Sequence, residues 1–250
     1  MKPLDHKRLV ITGAASGIGR ATSLLAAAEG AYVVAVDLAD GVLETVREIR
    51  TTGGNAVAMQ ADVSDENAIA GCIDRCLSEF GGLDGVYANA GIGGAGKPFA
   101  DMTAADWQRT LAVNTIGVFL AFKQAIPHLT RQGSGALLAT ASVAGLVPFP
   151  QEPIYALTKH AVVGFVRSMG AAVEPYGVRI NAICPGFVQT NLLTDETLSV
   201  IRAFGLPVID AGRVAEAAEK VINSDTNGAL WFVNGESPIG VHVPKDPDLI

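Results

Sequence analysis

Arg8-Leu9-Val10-Ile11-Thr12-Gly13-Ala14-Ala15-Ser16-Gly17-Ile18-Gly19 is the stretch from which the rest of this chain can be read. Residues 8–12 form a short apolar strand, and residues 20–29 read as a helix. Glycines between them permit a tight turn and close backbone approach, and the free N–H groups at the helix start can take a pyrophosphate. The spacing is Gly-x-x-x-Gly-x-Gly, not the Gly-x-Gly-x-x-Gly of the common dinucleotide fingerprint. No Gly-Lys-Ser/Thr ending follows, which argues against nucleoside triphosphate chemistry. A second strand over 31–36 leads into Asp37, 18 residues after Gly19. A dinucleotide fold places there the acid that accepts hydrogen bonds from the adenosine ribose. The same charge repels a 2′-phosphate, and no Arg or Lys lies between Asp37 and Glu44. The expected cofactor is therefore NAD and not NADP.

Outward from this unit, strand and helix alternate. Strands are expected over 8–12, 31–36, 56–60, 85–88, 135–140, 179–183 and 229–233. Their near-continuous apolar runs suit strands covered on both faces. The helical stretches between most of them are long enough for right-handed crossovers in a parallel sheet. This predicts a doubly wound α/β fold of about seven strands, one domain over 1–250, with ligands beyond the carboxyl ends of the strands. Gly13, Asp37, Asp62, Asn89, Ser142 and Pro185 each fall at such an end.

Composition bounds the function. The chain has 250 residues, 49% hydrophobic and 17% charged, which suits one globular domain with much buried sheet. A net charge of −7 disfavours nucleic acid and anionic membrane surfaces. No unbroken apolar run reaches the ~18 residues that suggest a membrane span, and no signal-peptide core precedes the first strand. A cytoplasmic protein is expected. Cys72, Cys76 and Cys184 make no Cys-x-x-Cys pair, and His6, His128, His160 and His242 show no ligand spacing, so no metal is expected.

The chemistry is carried by Tyr155-Ala156-Leu157-Thr158-Lys159. A spacing of four puts Tyr155 and Lys159 on one helix face, a turn apart. An ammonium close to a phenol favours the phenolate, so Lys159 is expected to lower Tyr155 towards the range of a usable base. Two segments break the alternation. Residues 141–153 carry Pro148, Pro150 and Pro153, which force a shaped loop. Residues 190–212 form a long connection of the kind that serves as an active-site lid. Its Leu192, Leu193, Ile201, Phe204, Leu206, Val208 and Ile209, with Val143, Leu146, Val147 and Phe149, are expected to line an apolar pocket. The substrate expected is a hydrophobic molecule bearing a secondary hydroxyl or ketone.

Thr12-Gly13-x-x-x-Gly17-x-Gly19, Asn89-Ala90-Gly91, Asn114, Ser142, Tyr155-x-x-x-Lys159 and Pro185-Gly186 resemble, in order and spacing, the short-chain dehydrogenase/reductase family. The resemblance runs from Lys7 to about Val233. Between Tyr155 and Thr190 it is strongest to the NAD-dependent secondary-alcohol dehydrogenases that include the hydroxyprostaglandin dehydrogenases. It implies a Rossmann-type sheet and an oxidoreductase acting between NAD and a secondary alcohol or ketone. Tyr155 is then the general base, and Lys159 also holds the cofactor ribose. Ser142 hydrogen-bonds the substrate oxygen, and Asn114 holds a water that relays protons from Lys159. The glycine turn with Ser16 and Ile18 takes the pyrophosphate, and Asp62-Val63 contact the adenine. Asn89-Ala90-Gly91 support the cofactor, while Pro185, Gly186, Val188 and Thr190 meet the nicotinamide carboxamide.

Departures are Ala88, where many members carry a second Asn, and a C-terminal tail without the family's Asp-Gly-Gly. A ketone reductase working in the opposite direction, or a catalytically idle NAD-binding scaffold, are the alternatives. Intact Ser142, Tyr155 and Lys159 speak against the scaffold. The stretches 103–131 and 153–175 carry apolar residues beyond one face, among them Ile116, Val118, Phe119, Leu120 and Phe122, then Val162, Val163, Phe165, Val166 and Met169. Such helices need a second partner surface, so a homotetramer is expected, as the family assembles.

Overall fold

β1 (Arg8–Thr12) turns through glycines into α1 (Gly17–Ala28), and the pattern repeats with β2 (Tyr32–Asp37), α2 (Gly41–Thr51), β3 (Asn55–Gln60) and α3 (Glu66–Phe80). β4 (Gly85–Ala88) then leads to α4 (Ala104–Leu111), a π-helical turn Ala112–Ile116 and α5 (Gly117–Gln132). β5 (Gly135–Thr140), α6 (Pro153–Val173) and β6 (Val178–Pro185) follow. The chain ends through β7 (Phe187–Val188), α7 (Asp195–Ala203), β8 (Val208–Ile209), α8 (Ala211–Asn223), β9 (Leu230–Val233) and β10 (Gly240–His242). This computed structural model describes residues 2–94 and 96–242. The tail from Pro244 to Ile250, whose part in pocket closure and subunit contact the sequence leaves open, lies outside them.

The main sheet runs β10-β9-β6-β5-β4-β1-β2-β3, parallel throughout except for β10. It has eight strands among the described residues, the seven expected and one more. The additional strand is a short antiparallel edge whose Gly240-Val241-His242 carries no apolar run. A further two-stranded sheet pairs β7 with β8. Strand alternation divides the core between the two faces. Val10, Val34 and Val86 join Phe122, Val162 and Val166 on the face covered by α3, α5 and α6. Leu9, Ile11 and Val33 join Ala26, Val214 and Val221 on the face covered by α1, α2 and α8. The run Ala104–Gln132 is long and apolar enough, by length and composition only, to cross a membrane. Here its Val118, Leu120 and Phe122 are buried against the sheet.

Strand order reverses between β1 and β4, which opens the crevice where such folds bind ligands. Short polar side chains lock this point. The Thr12 hydroxyl accepts from the N–H groups of Asn89 and Ala90, both at 3.0 Å. Asn89 Nδ2 donates to the Thr12 carbonyl at 2.9 Å, and the Thr140 hydroxyl donates to Asn89 Oδ1 at 2.9 Å. Three strand ends are thus tied without a long side chain. Thr12→Val keeps the shape but leaves two N–H groups without an acceptor, and is expected to cost about 1–3 kcal/mol. A melting temperature unchanged from wild type would contradict this, whereas Thr12→Ser should stay close to wild type.

Candidate active site

The glycine turn is shaped by what surrounds it. Gly13 and Gly17 have φ of +70° and +53°, in the left-handed region that side chains avoid. A Cβ on Gly19 would fall 2.1 Å from the Gly13 carbonyl oxygen and 2.6 Å from Asn89 Nδ2. α1 begins at Gly17, inside the turn, and its N-cap residue Ser16 makes no side-chain cap, which leaves its first N–H groups without a side-chain acceptor. Asp37 closes the far side. Its carboxylate accepts from the N–H of Ala15 at 2.9 Å and of Ala39 at 2.9 Å, leaving lone pairs on a half-buried group. Asp62 lies just beyond β3, where Ala61 N–H donates to the Asp37 carbonyl. The Ser64 hydroxyl and N–H hold the Asp62 carboxyl below its usual range. Val63 is buried, and a Cβ on Gly117 would fall 2.9 Å from it.

Residues far apart in sequence meet at this edge. Thr190 covers the turn, because a Cβ on Gly17 would fall 2.9 Å from its methyl. Pro185 and Val188 are buried, and Gly186 donates to the Val233 carbonyl at 2.9 Å. A Cβ on Gly186 would meet Asn234 Oδ1, so a larger residue here would displace the Asn234 side chain.

α6 presents Tyr155 and Lys159 to the same edge. Lys159 is buried, and its ammonium donates to the Thr140 carbonyl at 2.8 Å and sits 5.5 Å from the Tyr155 ring centre. Ser142 begins a single 3₁₀ turn (Val143–Gly145) and accepts from the Ala144 N–H at 3.1 Å. That turn packs directly on α6, since a Cβ on Gly145 would fall 2.6 Å from the Lys159 carbonyl oxygen. Asn114 occupies the π-helical turn and is buried. Its amide accepts from Ile92 N–H at 2.8 Å and donates to Ile92 O at 2.9 Å and to Thr158 Oγ1 at 3.1 Å. Thr158 in turn donates to the Tyr155 carbonyl at 2.7 Å. Gly91 leaves open the space that Lys159 and Asn114 share: a Cβ there would lie 3.5 Å from Lys159 Nζ and 3.4 Å from Asn114 Oδ1. The residues present thus fit a dinucleotide, with a glycine turn, a carboxylate at the end of β2 that keeps free lone pairs, and a buried lysine along one edge.

The electrostatics correct one expectation. Lys159 was expected to lower Tyr155, yet protein packed around the half-buried Tyr155 pushes it up to about 12. A hydrogen bond with Ser142 works against that rise, and the charge of Glu152 adds to it. Burial also brings Lys159 down to about 8. Burial disfavours the charged form of each group, which raises a phenol and lowers an ammonium. Cys184 sits behind them and is raised to about 12 by burial, with a hydrogen bond from the Ser142 backbone opposing the rise.

Residues 190–212 bury only part of their apolar side chains. Leu198, Ile201 and Ile209 are buried, but Phe204 is 78% exposed, and Leu192, Leu206 and Val147 are near half. α7 therefore turns only one side inward, while its other side and the following turn face solvent. Phe149 approaches Phe187 with ring centres 6.5 Å apart. Sequence reading missed Thr140, Thr158, Ile92 and Glu152 as site residues, and gave Thr12 no role of its own. Thr12 and Thr140 each end an apolar strand on a hydroxyl, a signal that could have marked them. Nothing local marks Ile92, which acts through its backbone.

Comparison with known proteins gives the same assignment. The family model described as short chain dehydrogenase matches residues 7–199. The chain is 36% identical over 226 residues to the cis-4-hydroxycyclohexanecarboxylate dehydrogenase of Sinomonas cyclohexanicum, covering 90% of this chain and 91% of the relative. It is 38% identical over 188 residues to the levodione reductase of Leifsonia aquatica, covering 74% and 70%. The structure of carveol dehydrogenase from Mycobacterium avium in complex with NAD superposes with a TM-score of 0.85 at 27% identity, over 93% of this chain and 98% of that one. With the glycine turn, the Tyr155–Lys159 helix and these matches together, the chain belongs to the short-chain dehydrogenase family.

Proposed function

We propose that this protein is an NAD-dependent dehydrogenase that interconverts a hydrophobic cyclic secondary alcohol and its ketone. The observation that carries it is the convergence of Ser142, Tyr155 and Lys159 beside the glycine turn at the strand-order switch. The relatives, named for a hydroxycyclohexanecarboxylate, levodione and carveol, support the ring alcohol or ketone. In this reading Gly13, Ser16, Gly17, Ile18 and Gly19 hold the pyrophosphate and Asp37 the adenosine ribose. Asp62 and Val63 flank the adenine, Asn89, Ala90 and Gly91 support the cofactor, and Pro185, Gly186, Val188 and Thr190 hold the carboxamide. NAD, when bound, supplies the hydride acceptor.

Within the chain, the Ser142 hydroxyl steadies the substrate oxygen and the Tyr155 hydroxyl exchanges its proton. Lys159 balances the charge that forms on Tyr155, and Asn114, beside the space that Gly91 leaves, holds the water that refills it. The raised Tyr155 and lowered Lys159 share protons, so the count on the pair matters more than either value. The pair with two protons donates during ketone reduction, and the pair with one accepts during alcohol oxidation. Residues 190–212 act as the lid of a single domain, and three free, buried cysteines favour the cytoplasm.

The pair sets the first expectation. Alcohol oxidation should rise with pH through about 8, where Lys159 loses its proton, while ketone reduction falls over the same range. Tyr155→Phe should abolish nearly all turnover at every pH with NAD binding near normal; turnover above about a tenth of wild type would remove Tyr155 as the base.

Cofactor choice is the second. kcat/KM should favour NAD over NADP, and Asp37→Ala should narrow the gap by lifting the repulsion of the 2′-phosphate. A wild-type preference for NADP would refute the role of Asp37.

Assembly is the third. Ile116 at the end of the π-helical turn and Phe119 on α5 are 47% and 46% exposed and Leu157 on α6 is 41%, apolar surface that a homotetramer would cover. Light scattering at micromolar concentration should give a tetramer's multiple of 25.8 kDa, and a monomer's mass would rule the assembly out.

A further inference from the structure

Among the described residues, Glu152 is the carboxylate whose charge bears on the Tyr155 phenol, and no step of the proposed reaction uses it. It stands at the entrance of α6, one turn before Tyr155, with its N–H bonded to the Phe149 carbonyl at 3.2 Å and its carbonyl accepting from Ala156 at 2.9 Å. These bonds fix its backbone. Its side chain crosses to the loop after β4, where Oε2 accepts the N–H of Gly94. The approach is so close that any Cβ on Gly94 would occupy the carboxylate's place. On the neighbouring residue, a Cβ at Gly93 would lie 3.8 Å from Leu192 of the lid. Glu152 is thus held where the catalytic helix, this loop and the lid come together.

Two consequences follow from its chemistry. A carboxylate offers about four lone-pair sites, and Gly94 is its one side-chain partner among the described residues. The half-buried group therefore gains from a hydrogen-bond donor on whatever enters the cleft. A second carboxylate brought beside it meets like charge, an arrangement that discriminates by repulsion.

We propose that Glu152 is a specificity-determining residue that makes the cleft accept neutral ring substrates bearing a hydrogen-bond donor and turn ring carboxylates away. This deepens the reading of the site as a ring-alcohol dehydrogenase and rests on it. It separates this chain from the relative named for a hydroxycyclohexanecarboxylate, although the two share 36% identity. The rival reading gives a carboxylate to Arg109, which lines a cavity of about 170 Å³ with Gly93, Gly94 and Asp106.

The test compares two isosteric ligands that the enzyme does not turn over, cyclohexanecarboxamide and cyclohexanecarboxylate, by calorimetry on the NADH-loaded protein. Glu152→Gln is the variant, because it keeps the size and an acceptor for Gly94 while removing the charge. Wild type should bind the amide about tenfold more tightly than the acid, and Glu152→Gln should bring the two within about threefold, chiefly by tighter binding of the acid. Wild type preferring the acid, as Arg109 would have it, overturns the proposal. So does a ratio unchanged in Glu152→Gln, or binding of neither ligand by either protein. Cyclohexanol oxidation with NAD is followed alongside. Its absence in wild type sinks the dehydrogenase reading itself, whereas turnover with unaltered ligand selectivity sinks only the role of Glu152.

Discussion

The contact on which this structure turns is that between the Thr12 hydroxyl and the N–H groups of Asn89 and Ala90. A parallel sheet carries all its ligand-binding loops at one edge, and at the switch point neighbouring strands send their chains in opposite directions. The backbone there has lost its ladder partners and must find others. Thr12 supplies them, Asn89 returns a bond to the Thr12 carbonyl, and Thr140 holds Asn89 from β5. Lys159 then completes the chain by donating to the Thr140 carbonyl. The glycine turn, the central strands and α6 are therefore parts of one hydrogen-bonded network.

That network explains the glycines more fully than flexibility does. Gly13 and Gly19 are pressed against Asn89 and Ala90, so their lack of a side chain is a packing requirement of the junction. Gly145 and Gly91 serve the other end in different ways. The first lets the Ser142 turn lie on α6, and the second keeps the space beside Lys159 and Asn114 free. Asn114 earns its burial by holding Ile92 and Thr158 together, which sets both the loop after β4 and the backbone of Tyr155.

The burial that orders these groups also tunes them. Removing water raises a phenol and lowers an ammonium, which brings Lys159 into the range where a change of pH moves one proton on the Tyr155–Lys159 pair. Ser142 pulls the phenol one way and Glu152 the other. The tyrosine is thus poised by its own burial together with Ser142 at β5's end and Glu152 at the entrance of α6, and the lysine alone does not decide its state.

The sequence by itself determined the alternation of strands and helices, because apolar runs of strand length separated by helical stretches long enough for crossovers point to a parallel sheet. It also determined the glycine turn, Asp37 and the Tyr155–Lys159 pair, since each is a local pattern with a local physical cause. The antiparallel β10 and the β7–β8 pair were not legible, being too short to carry a period. Nor was the outward side of α7, where Phe204 reads as pocket lining in sequence but is mostly exposed in the fold. Tertiary structure alone decided that Thr190 covers Gly17, that Glu152 reaches Gly94, and that Tyr155 is raised and not lowered. The reason is common to all three: each depends on the distance between residues that only chain crossovers bring together, and on water excluded by that meeting, neither of which spacing along the chain records.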